Sequence, residues 1–399
     1  MSRIHRRAVL LISSATAMLA FASSADAQSF QVIHDFTGGA DGAVPGYTLL
    51  NDGKGFIGAA NQGGVGYGTV FRLAQKSGAW TVNPLYNFTG DEGQPDWGVI
   101  HGPKGSLFVT ASYASVLGGP CGSALELDRA TAPARTAKLN GTLLHTYVKS
   151  GDGCPTGNLL RDASGILYGV TQDGGANGWG SVFELTPSGS GWTETVLYSF
   201  RGAEDGGAPY SELVMDDSGN LYGTASASTV NHGTVFELSP SESGWTYTVL
   251  HAFSGGTDGG QPVAALTFDH GGNLFGASTS FGANGGGTVF ELKPSRGAWK
   301  FKVLYGMTGS DGPVAALTLG TTGVIYGTNF MDGADGYGSV FSLAPAGRKW
   351  RYTDLHDFTS GADGGYPGGG VVLDAAGNLY GTAVLGGANG KGVVYEVMP

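Results

Sequence analysis

Apolar and polar positions along the chain form short alternating blocks rather than long amphipathic stretches. Between positions 205 and 253 the apolar segments are "YSELVMD", "LYGTASA", "GTVFELSP" and "WTYTVLHAF", separated by clusters of Gly, Asp, Ser and Asn such as "DSGN". Short segments rich in β-branched and aromatic residues, bounded by turn-forming residues, are typical of β-strands joined by tight turns. The pattern therefore predicts four consecutive strands in this part of the chain.

The same set of four strands recurs along the sequence. The phrase "GNLYGTA" occupies 219–225 and 377–383, and "GTVFEL" occupies 233–238 and 287–292, with looser copies of both in the other units. Each unit closes on an aromatic residue or Met, about 53 residues after the previous one: Phe36, Phe88, Tyr147, Phe200, Phe253, Met307 and Phe358. Seven units of this length account for residues 28–399.

Two further residues mark the units. A Trp lies eight residues before the closing residue in five of them: Trp80, Trp192, Trp245, Trp299 and Trp350. A Pro precedes the first strand of all seven: Pro45, Pro95, Pro155, Pro209, Pro262, Pro313 and Pro367. Proline suits the first residue of a strand, where no N–H is needed for the ladder, so we expect each Pro to open its strand.

Strands such as "TVFEL" and "TVLYSF" are apolar on both faces, which is typical of sheets covered on both sides. Four-stranded units of this length, stacked face to face in a closed ring, are the blades of a β-propeller. The predicted fold is all-β, a seven-bladed propeller of four-stranded blades in a single domain, residues 28–399.

The phase of the repeat predicts how the ring closes. The last unit ends after its third strand, "VVYEV", and residues 29–36, "SFQVIHDF", form a fourth strand that precedes the first unit. We expect Gln28–Phe36 to pair with Val393–Val397, because this pairing leaves no open strand edge.

Residues 1–27 are predicted to be a signal peptide that is cleaved after Ala27. Arg3, Arg6 and Arg7 precede an apolar run over 8–22, and "ADA" ends the segment with small residues. The general secretory and twin-arginine routes both stay open, the first being favoured. No later segment is expected to insert in a membrane, since none approaches the ~20 apolar residues of a span.

Composition and charge agree with a turn-rich exported β protein. Gly accounts for 73 of 399 residues, against a usual share of ~7 %, and tight turns explain the excess. The formal net charge is −11, which argues against nucleic acid and anionic membranes as partners, because both require a basic surface.

The repeat resembles that of the "choice-of-anchor tandem repeat GloVer-containing" bacterial proteins. The shared pattern is "LYSF…DG…P…L…D..GNLYGT…GG..G.GTVFEL", and it covers essentially all of residues 29–399. The resemblance implies an exported cell-surface or extracellular repeat protein of unassigned activity. Members commonly carry a C-terminal anchoring tail. No such tail is seen before Pro399, so we expect a secreted or periplasmic protein rather than an anchored one.

One Asp recurs in the loop that enters each unit: Asp41, Asp91, Asp152, Asp205, Asp258, Asp311 and Asp363. Two interpretations are open. The seven carboxylates can form a ring that binds calcium at the channel mouth, or each can accept hydrogen bonds from its own loop. The second is preferred, because a residue present in every unit usually builds the unit. No cofactor is predicted, and calcium stays the alternative.

The histidines follow the same logic. His34, His145, His251 and His356 share one repeat position with Tyr86, Tyr198 and Tyr305. They are expected to lie far apart, whereas a metal needs converging ligands. The Gly-rich segments "GGANGWG" and "GGVGYG" lack the Lys and the strand–helix context of phosphate-binding loops, so they are interpreted as turns.

The two cysteines are predicted to form a disulfide. Cys121 lies between a second and a third strand and Cys154 in the loop that enters the next unit, and an up-and-down topology brings both to one face. An even count of cysteines in an exported protein favours a bridge.

The second unit, 94–147, departs most from the repeat. It has His101 where other units have Asp, it lacks the Trp, and it contains the insertion "ATAPARTAKLN" at 130–140. A unique ligand needs an asymmetric site, so Asp96, Trp97, Tyr113 and Arg129 are candidate ligand-binding residues. The alternative is drift in this unit, compensated by the disulfide.

The sequence contains no recognisable catalytic constellation. It favours an exported, monomeric, non-catalytic binding propeller for an extracellular glycan or protein. Two alternatives stay open: an inert structural component of the envelope or matrix, and a hydrolase or lyase acting on a polysaccharide or small ester at the channel mouth. The latter would require a convergent acid/base pair.

Overall fold

A computed structural model of the chain describes residues 28–46, 48–112, 120–129, 139–149, 151–189 and 191–399. The predicted signal peptide, residues 1–27, lies outside these residues. Within them, no helix has the length and apolar character needed to cross a membrane.

The described strands form seven small antiparallel sheets, which are the seven blades of the predicted propeller. The first three blades contain β2 (Ala43–Pro45), β3 (Leu50–Asn51), β4 (Phe56–Gln62), β5 (Thr69–Lys76) and β6 (Ala79–Asn87); β7 (Val99–His101), β8 (Leu107–Ser112), β9 (Pro120–Arg129) and β10 (Leu139–Val148); and β11 (Pro155–Arg161), β12 (Leu167–Thr171), β13 (Ser181–Ser188) and β14 (Gly191–Ser199). A short 3₁₀ helix spans Pro103–Gly105.

The remaining blades repeat this order. They contain β15 (Gly207–Pro209), β16 (Val214–Met215), β17 (Leu221–Ala227), β18 (Thr234–Ser241) and β19 (Gly244–Ala252); β20 (Thr267–Phe268), β21 (Leu274–Ser278), β22 (Thr288–Ser295) and β23 (Ala298–Gly306); β24 (Thr318–Leu319), β25 (Ile325–Asn329), β26 (Ser339–Ala346) and β27 (Lys349–Asp357); and, in blade 7, β28 (Val372–Leu373), β29 (Leu379–Ala383), β30 (Val393–Met398) and β1 (Ser29–Asp35).

Blade 7 is completed by the N-terminal strand, as the phase of the repeat predicts. β1 pairs antiparallel with β30, with Ser29 opposite Met398 and Asp35 opposite Val393. The N–H of Phe36 extends the pairing by donating to the carbonyl of Gly392 at 3.1 Å. Both ends of the propeller therefore lie in one sheet, and the ring is closed.

In blade 3 the innermost strand is continuous and opened by Pro155, as predicted, whereas in the other blades it is interrupted near the conserved Pro. In blade 4, Pro209 pairs with Ala225, but the next paired residue, Val214, faces Tyr222, so the register shifts by two residues. The same two-residue bulge follows the other six conserved prolines. Pro209 ends a three-residue pairing, and the segment after it leaves the ladder and faces the central channel.

Apolar side chains fill the space between neighbouring blades and explain the Gly of "GNLYGT". A Cβ added at Gly223 would lie 2.6 Å from Cζ of Phe236 on the adjacent strand, so the ring occupies the volume of a missing side chain. Blade 2 shows the complement, because Val109 at the Gly position faces Leu125 instead of Phe. The repeated phrase therefore encodes a cross-strand packing pair.

The substitution Gly223→Ala is expected to destabilise the protein by about 1–3 kcal/mol, since the added methyl group overpacks a filled site. Gly191→Ala is the matched control, because a Cβ there meets no atom within 4 Å, and we expect a change within about 0.5 kcal/mol. Urea unfolding measures both, and equal midpoints would contradict the packing argument.

The Thr of the same phrase links one blade to the next. Its hydroxyl donates to a carbonyl in the bulge of the following blade, at 2.8 to 3.2 Å: Thr110 to Gly157, Thr224 to Ala264, Thr328 to Gly369 and Thr382 to Gly46. These bonds hold the bulged segments in place around the channel.

Candidate functional site

The bulges enclose a cavity of about 190 Å³ in the central channel. All of its described lining residues except Phe330 belong to the three positions after a conserved Pro: Thr48, Trp97, Gly98, Gly157, Asn158, Tyr210, Ser211, Glu212, Val263, Ala265, Val314, Ala315, Ala316 and Gly368. These three positions differ from blade to blade while the flanking residues repeat. The cavity is therefore the place where the seven blades are least alike.

The cavity has a polar side and an apolar side. Blades 2, 3 and 4 contribute Trp97, Asn158, Tyr210 and Glu212, whereas the described lining residues of blades 5, 6 and 7 are Val, Ala, Gly and Phe330. The rings of Trp97 and Tyr210 meet edge to face with their centroids 5.2 Å apart and their planes at 80°. Two rings fixed in this way offer adjoining apolar surfaces to a ligand.

An amide and a carboxyl group face the aromatic pair. Nδ2 of Asn158 donates to Oε2 of Glu212 at 2.5 Å, which leaves Oδ1 of Asn158 buried without a partner among the described residues. Burial raises the pKa of Glu212 above its ordinary value, although the hydrogen bond from Asn158 acts in the opposite direction. Glu212 is the one charged residue among the described lining residues.

A second amide–carboxyl pair lies beside the cavity. Nδ2 of Asn61 donates to Oδ1 of Asp96 at 3.0 Å, and the hydroxyl of Ser112 donates to the other carboxylate oxygen. Burial raises the pKa of Asp96 to about 6, although the hydrogen bond from the Asn61 amide acts to lower it. The charge of Asp96 acts in turn on Tyr210, whose pKa is raised mainly by burial, so the two residues are electrostatically connected.

Asp96→Asn is expected to stabilise the protein at neutral pH. The folded state holds the proton of Asp96 more tightly than the unfolded chain does, with a pKa of about 6 against 3.8. Ionisation of Asp96 therefore lowers the stability of the protein as the pH rises between these values. Asn cannot ionise, so the substitution removes a cost of about 1–3 kcal/mol above pH ~6. Urea unfolding at about pH 7.5 and pH 4 measures the stability gained, and an equal gain at both pH values would contradict the prediction.

Two of the four candidate residues from the second unit lie at this site. Asp96 and Trp97 occupy the bulge of blade 2, whereas Tyr113 lies outside the described residues. Arg129 is exposed at the far end of β9, beyond the pair formed by Leu127 and Leu107, and so lies at the opposite end of the blade from Asp96. The structure does not bring Arg129 to the cavity.

The recurring loop Asp residues contact their own blades. Asp41, Asp152, Asp205, Asp258 and Asp363 each accept a hydrogen bond from the backbone N–H four residues earlier, at 2.9 to 3.0 Å. In blade 2, Glu92 rather than Asp91 accepts the corresponding bond from the N–H of Thr89 at 2.8 Å. Among the described residues, no group of three or more His, Cys, Asp and Glu is placed to hold a metal ion.

Each repeated His contacts the loop Asp of its own blade, seven residues later. The Nε2–Oδ2 distances are 2.7 to 3.2 Å in the pairs His34–Asp41, His145–Asp152, His251–Asp258 and His356–Asp363. In blade 4 the hydroxyl of Tyr198 donates to Asp205 at 2.7 Å. Burial lowers the pKa of His34, His251 and His356, and the paired carboxylates offset it only in part.

The His–Asp pairs of the entry loops make the protein less stable at acidic pH. The lowered pKa values of His34 and His251 mean that the unfolded chain binds protons more readily than the fold, so stability falls as the pH drops below ~6.5. Hydrogen bonds from Thr37 outweigh the effect of burial and keep the pKa of Asp41 below its ordinary value, which adds a further loss as the pH falls below ~4. These residues act on the stability of the loops.

The predicted disulfide between Cys121 and Cys154 is confirmed, with the two Cα atoms 5.2 Å apart. It joins β9 of blade 2 to the entrance of blade 3. At four other blade junctions the residue before Pro has a positive φ and its N–H donates to the preceding blade, as Ala208 does to Trp179 O at 2.8 Å; the other three are Val44, Gln261 and Tyr366. Cys154 occupies this position, so a covalent bond stands where these four junctions use a hydrogen bond.

One face of the ring is acidic. This face is formed by the loops that enter each blade and the loops between second and third strands. Its described loops contain Asp41, Asp91, Glu92, Asp152, Asp173, Glu204, Asp205, Asp258, Asp311, Asp332, Asp335 and Asp363 against Lys149, Arg201 and Lys391. The negative potential of this face favours the approach of cationic groups.

Comparison with solved structures finds many propellers of low sequence identity. An oxidoreductase (glucose dehydrogenase) described from Thermus thermophilus is 15 % identical, with coverage of 82 % of this chain and 99 % of that chain and a TM-score of 0.45. A protein described as a 6-phosphogluconolactonase from Bacteroides uniformis is 16 % identical, with coverage of 79 % and 84 % and a TM-score of 0.51. The second likeness shows the shared fold.

No curated protein matches the sequence. Residues 134–322 match the family model described as the Gloeobacter/Verrucomicrobia repeat, and the same phrases continue through the blades on either side of this segment. Residues 134–322 therefore carry the Gloeobacter/Verrucomicrobia repeat, as the resemblance of the repeat implied.

Proposed function

We propose that this protein is an exported, non-catalytic binding propeller that holds the end of an extracellular glycan in its channel cavity. The observation that carries the proposal is the asymmetric lining of that cavity, with Trp97 and Tyr210 beside the Asn158–Glu212 pair. Aromatic faces pack against the C–H surface of a sugar ring, while amide and carboxyl groups bond its hydroxyls. A few polar groups within an otherwise apolar pocket are typical of small-molecule sites.

The size of the cavity favours one sugar ring. A volume of about 190 Å³ equals about six waters at ~30 Å³ each, which is roughly the volume of one hexose. A longer glycan would place its end in the channel and continue across the acidic face. An extracellular protein partner fits less well, because a folded surface does not reach a cavity of this size.

Export is part of the proposal. It rests on the basic, apolar and small-residue segments of residues 1–27 and on the disulfide between Cys121 and Cys154, because such bonds persist in oxidising compartments. Mass spectrometry of protein recovered from the periplasm or the medium tests it. The expected mature N-terminus is Gln28, and an intact Met1 in the cytoplasm would overturn this part.

A hydrolase is the second candidate, favoured by one observation. Asp96 and Glu212 both have raised pKa values at a single cavity, and a general acid must hold its proton near neutral pH. Product formation from glycans or small esters, measured by chromatography, distinguishes this candidate from a binding protein. Asp96→Asn would then abolish turnover.

The binding proposal is tested by calorimetric titration of residues 28–399 with oligosaccharides of different composition. A binding sugar at 100 times its Kd is expected to add about 2.7 kcal/mol of stability, which a thermal-shift assay detects. Trp97→Ala is expected to weaken binding at least tenfold, because it removes one aromatic surface.

Leu143→Ala is the matched control for Trp97→Ala. Leu143 is 52 % exposed on the outermost strand of blade 2 and is not among the residues that line the cavity, so its loss should leave the affinity unchanged. Equal effects of the two substitutions, or no binding of any sugar by the native protein, would overturn the proposal.

A further inference from the structure

We infer that the sugar held in the cavity carries a free, protonated amine, so that the ligand is an amino sugar rather than a neutral one. The inference rests on the proposed function and narrows its ligand. It comes from the single carboxyl group among the described lining residues, from the aromatic surfaces beside it and from the acidic loops that enter the blades.

Glu212 supplies a carboxyl group to the cavity, among the lining residues that the structure describes. In the Asn158–Glu212 pair the amide directs its NH₂ group at the carboxyl oxygen at 2.5 Å. The amide thus holds the Glu212 carboxyl in place, and the carboxyl is the acceptor that the pair offers to a ligand.

The Asn61–Asp96 pair repeats this arrangement beside the cavity. Its amide NH₂ is used on Asp96 at 3.0 Å, and Oδ1 of Asn61 is buried without a partner in the described part of the chain. Asn61 and Asp96 are not among the described residues that line the cavity, so this pair acts on a ligand through the charge of Asp96 rather than through a direct hydrogen bond.

An ammonium group meets this requirement more completely than a hydroxyl group. It has three donors and no acceptor, so it can bond Glu212 without bringing a lone pair that needs a donor. A hydroxyl has one donor and no charge with which to match the carboxylate. Hydrogen bonds between an ammonium and a carboxylate are also about twice as strong as neutral ones.

The aromatic surfaces and the surrounding charge agree with a cation. Trp97 and Tyr210 meet at 80°, and a cation over the face of such a ring is attracted by its quadrupole. Glu212 is the one acidic or basic residue among the described lining residues, and the loops that enter the blades are mainly acidic in the described part of the chain. Burial disfavours ionised Glu212 in the empty cavity, and a bound ammonium would restore its charge.

The experiment compares trisaccharides of glucosamine, N-acetylglucosamine and glucose with the same linkage, titrated into residues 28–399 at about pH 6.5. The free amine is expected to give at least tenfold tighter binding than either neutral sugar, which is about 1.4 kcal/mol. Glu212→Gln keeps the shape and removes the charge, so it should abolish the preference while retaining weak binding of all three sugars.

A thermal melt of Glu212→Gln without sugar establishes that the variant folds. Asp96→Asn serves as a second variant and should reduce the preference in part. Equal or tighter binding of the neutral sugars would overturn the inference and leave the proposed function standing, whereas binding of none of the three would overturn both. If both variants still preferred the amino sugar, residues other than Glu212 and Asp96 would determine the selectivity, and this result would also overturn the inference.

Discussion

Removal of residues 28–36 is expected to lower the melting temperature by about 10 °C or more. This segment supplies the outer strand of blade 7, where Phe36 is fully buried and Phe30 stacks on His356 with centroids 3.6 Å apart. Burial of one large apolar side chain contributes about 1.5–3 kcal/mol, so loss of the strand removes several kcal/mol, and it exposes the edge of β30 to aggregation.

Differential scanning calorimetry of chains beginning at residue 28 and at residue 37 measures the effect of the strand. Phe36→Ala in the full-length domain separates packing from pairing, since it removes the buried ring and keeps the backbone ladder, and its loss should be about 3–5 kcal/mol. Coincident melting curves for the two chains would refute the closure of the ring by β1 and β30.

Reduction of the disulfide is expected to cost about 3–4 kcal/mol of stability. Cys121 and Cys154 are separated by 33 residues, and a cross-link that closes a loop of this length restricts the unfolded chain by that amount in the chain-entropy model. The bridge also lies at the junction of blades 2 and 3, so its loss should loosen this junction before the others.

The double variant Cys121→Ser with Cys154→Ser, compared with the native protein in urea, measures the cost of losing the bridge. Limited proteolysis locates it, and the first cut should fall within 113–155 in the variant. Labelling of two thiols in the unreduced native protein, or equal unfolding midpoints, would contradict the disulfide's role.

Most of the propeller fold can be predicted from the sequence because the sequence pattern of a blade occurs seven times. The alternation of strands and turns, the repeat of about 53 residues and the early fourth strand in residues 29–36 determine the number of blades and how the ring closes. Packing pairs such as Gly223 with Phe236 recur because each blade needs the same cross-strand fit. A residue that recurs at the same position of every repeat can be recognised as structural, because each copy meets the same local packing requirement of the fold.

The site is harder to predict for the opposite reason. Asp96 and Trp97 stand out as a departure in an irregular unit, but Asn158, Tyr210 and Glu212 lie in units that look regular. The signal that would have found them is the triplet after each conserved Pro, which reads "GYT", "DWG", "TGN", "YSE", "VAA", "VAA" and "GGG". The two-residue bulge that turns these triplets into the channel depends on register, which periodicity alone does not reveal.

The seven His and Tyr residues before the loop Asp positions carried another signal that periodicity understates. A constant spacing of seven residues between His34 and Asp41, or between His251 and Asp258, reflects a direct contact across the loop. The spacing was visible, but its meaning depends on how the chain reverses between two blades, which is a property of the folded loop.

The closure of blade 7 by the N-terminal strand has an evolutionary consequence. Because β1 completes the sheet of β30, a duplicated unit would add one whole blade without leaving an unpaired edge. Gain or loss of a unit would change the circumference of the channel and insert or delete one triplet after a Pro. A lineage could therefore alter the width and chemistry of its binding cavity in a single recombination event while keeping the same closing strand.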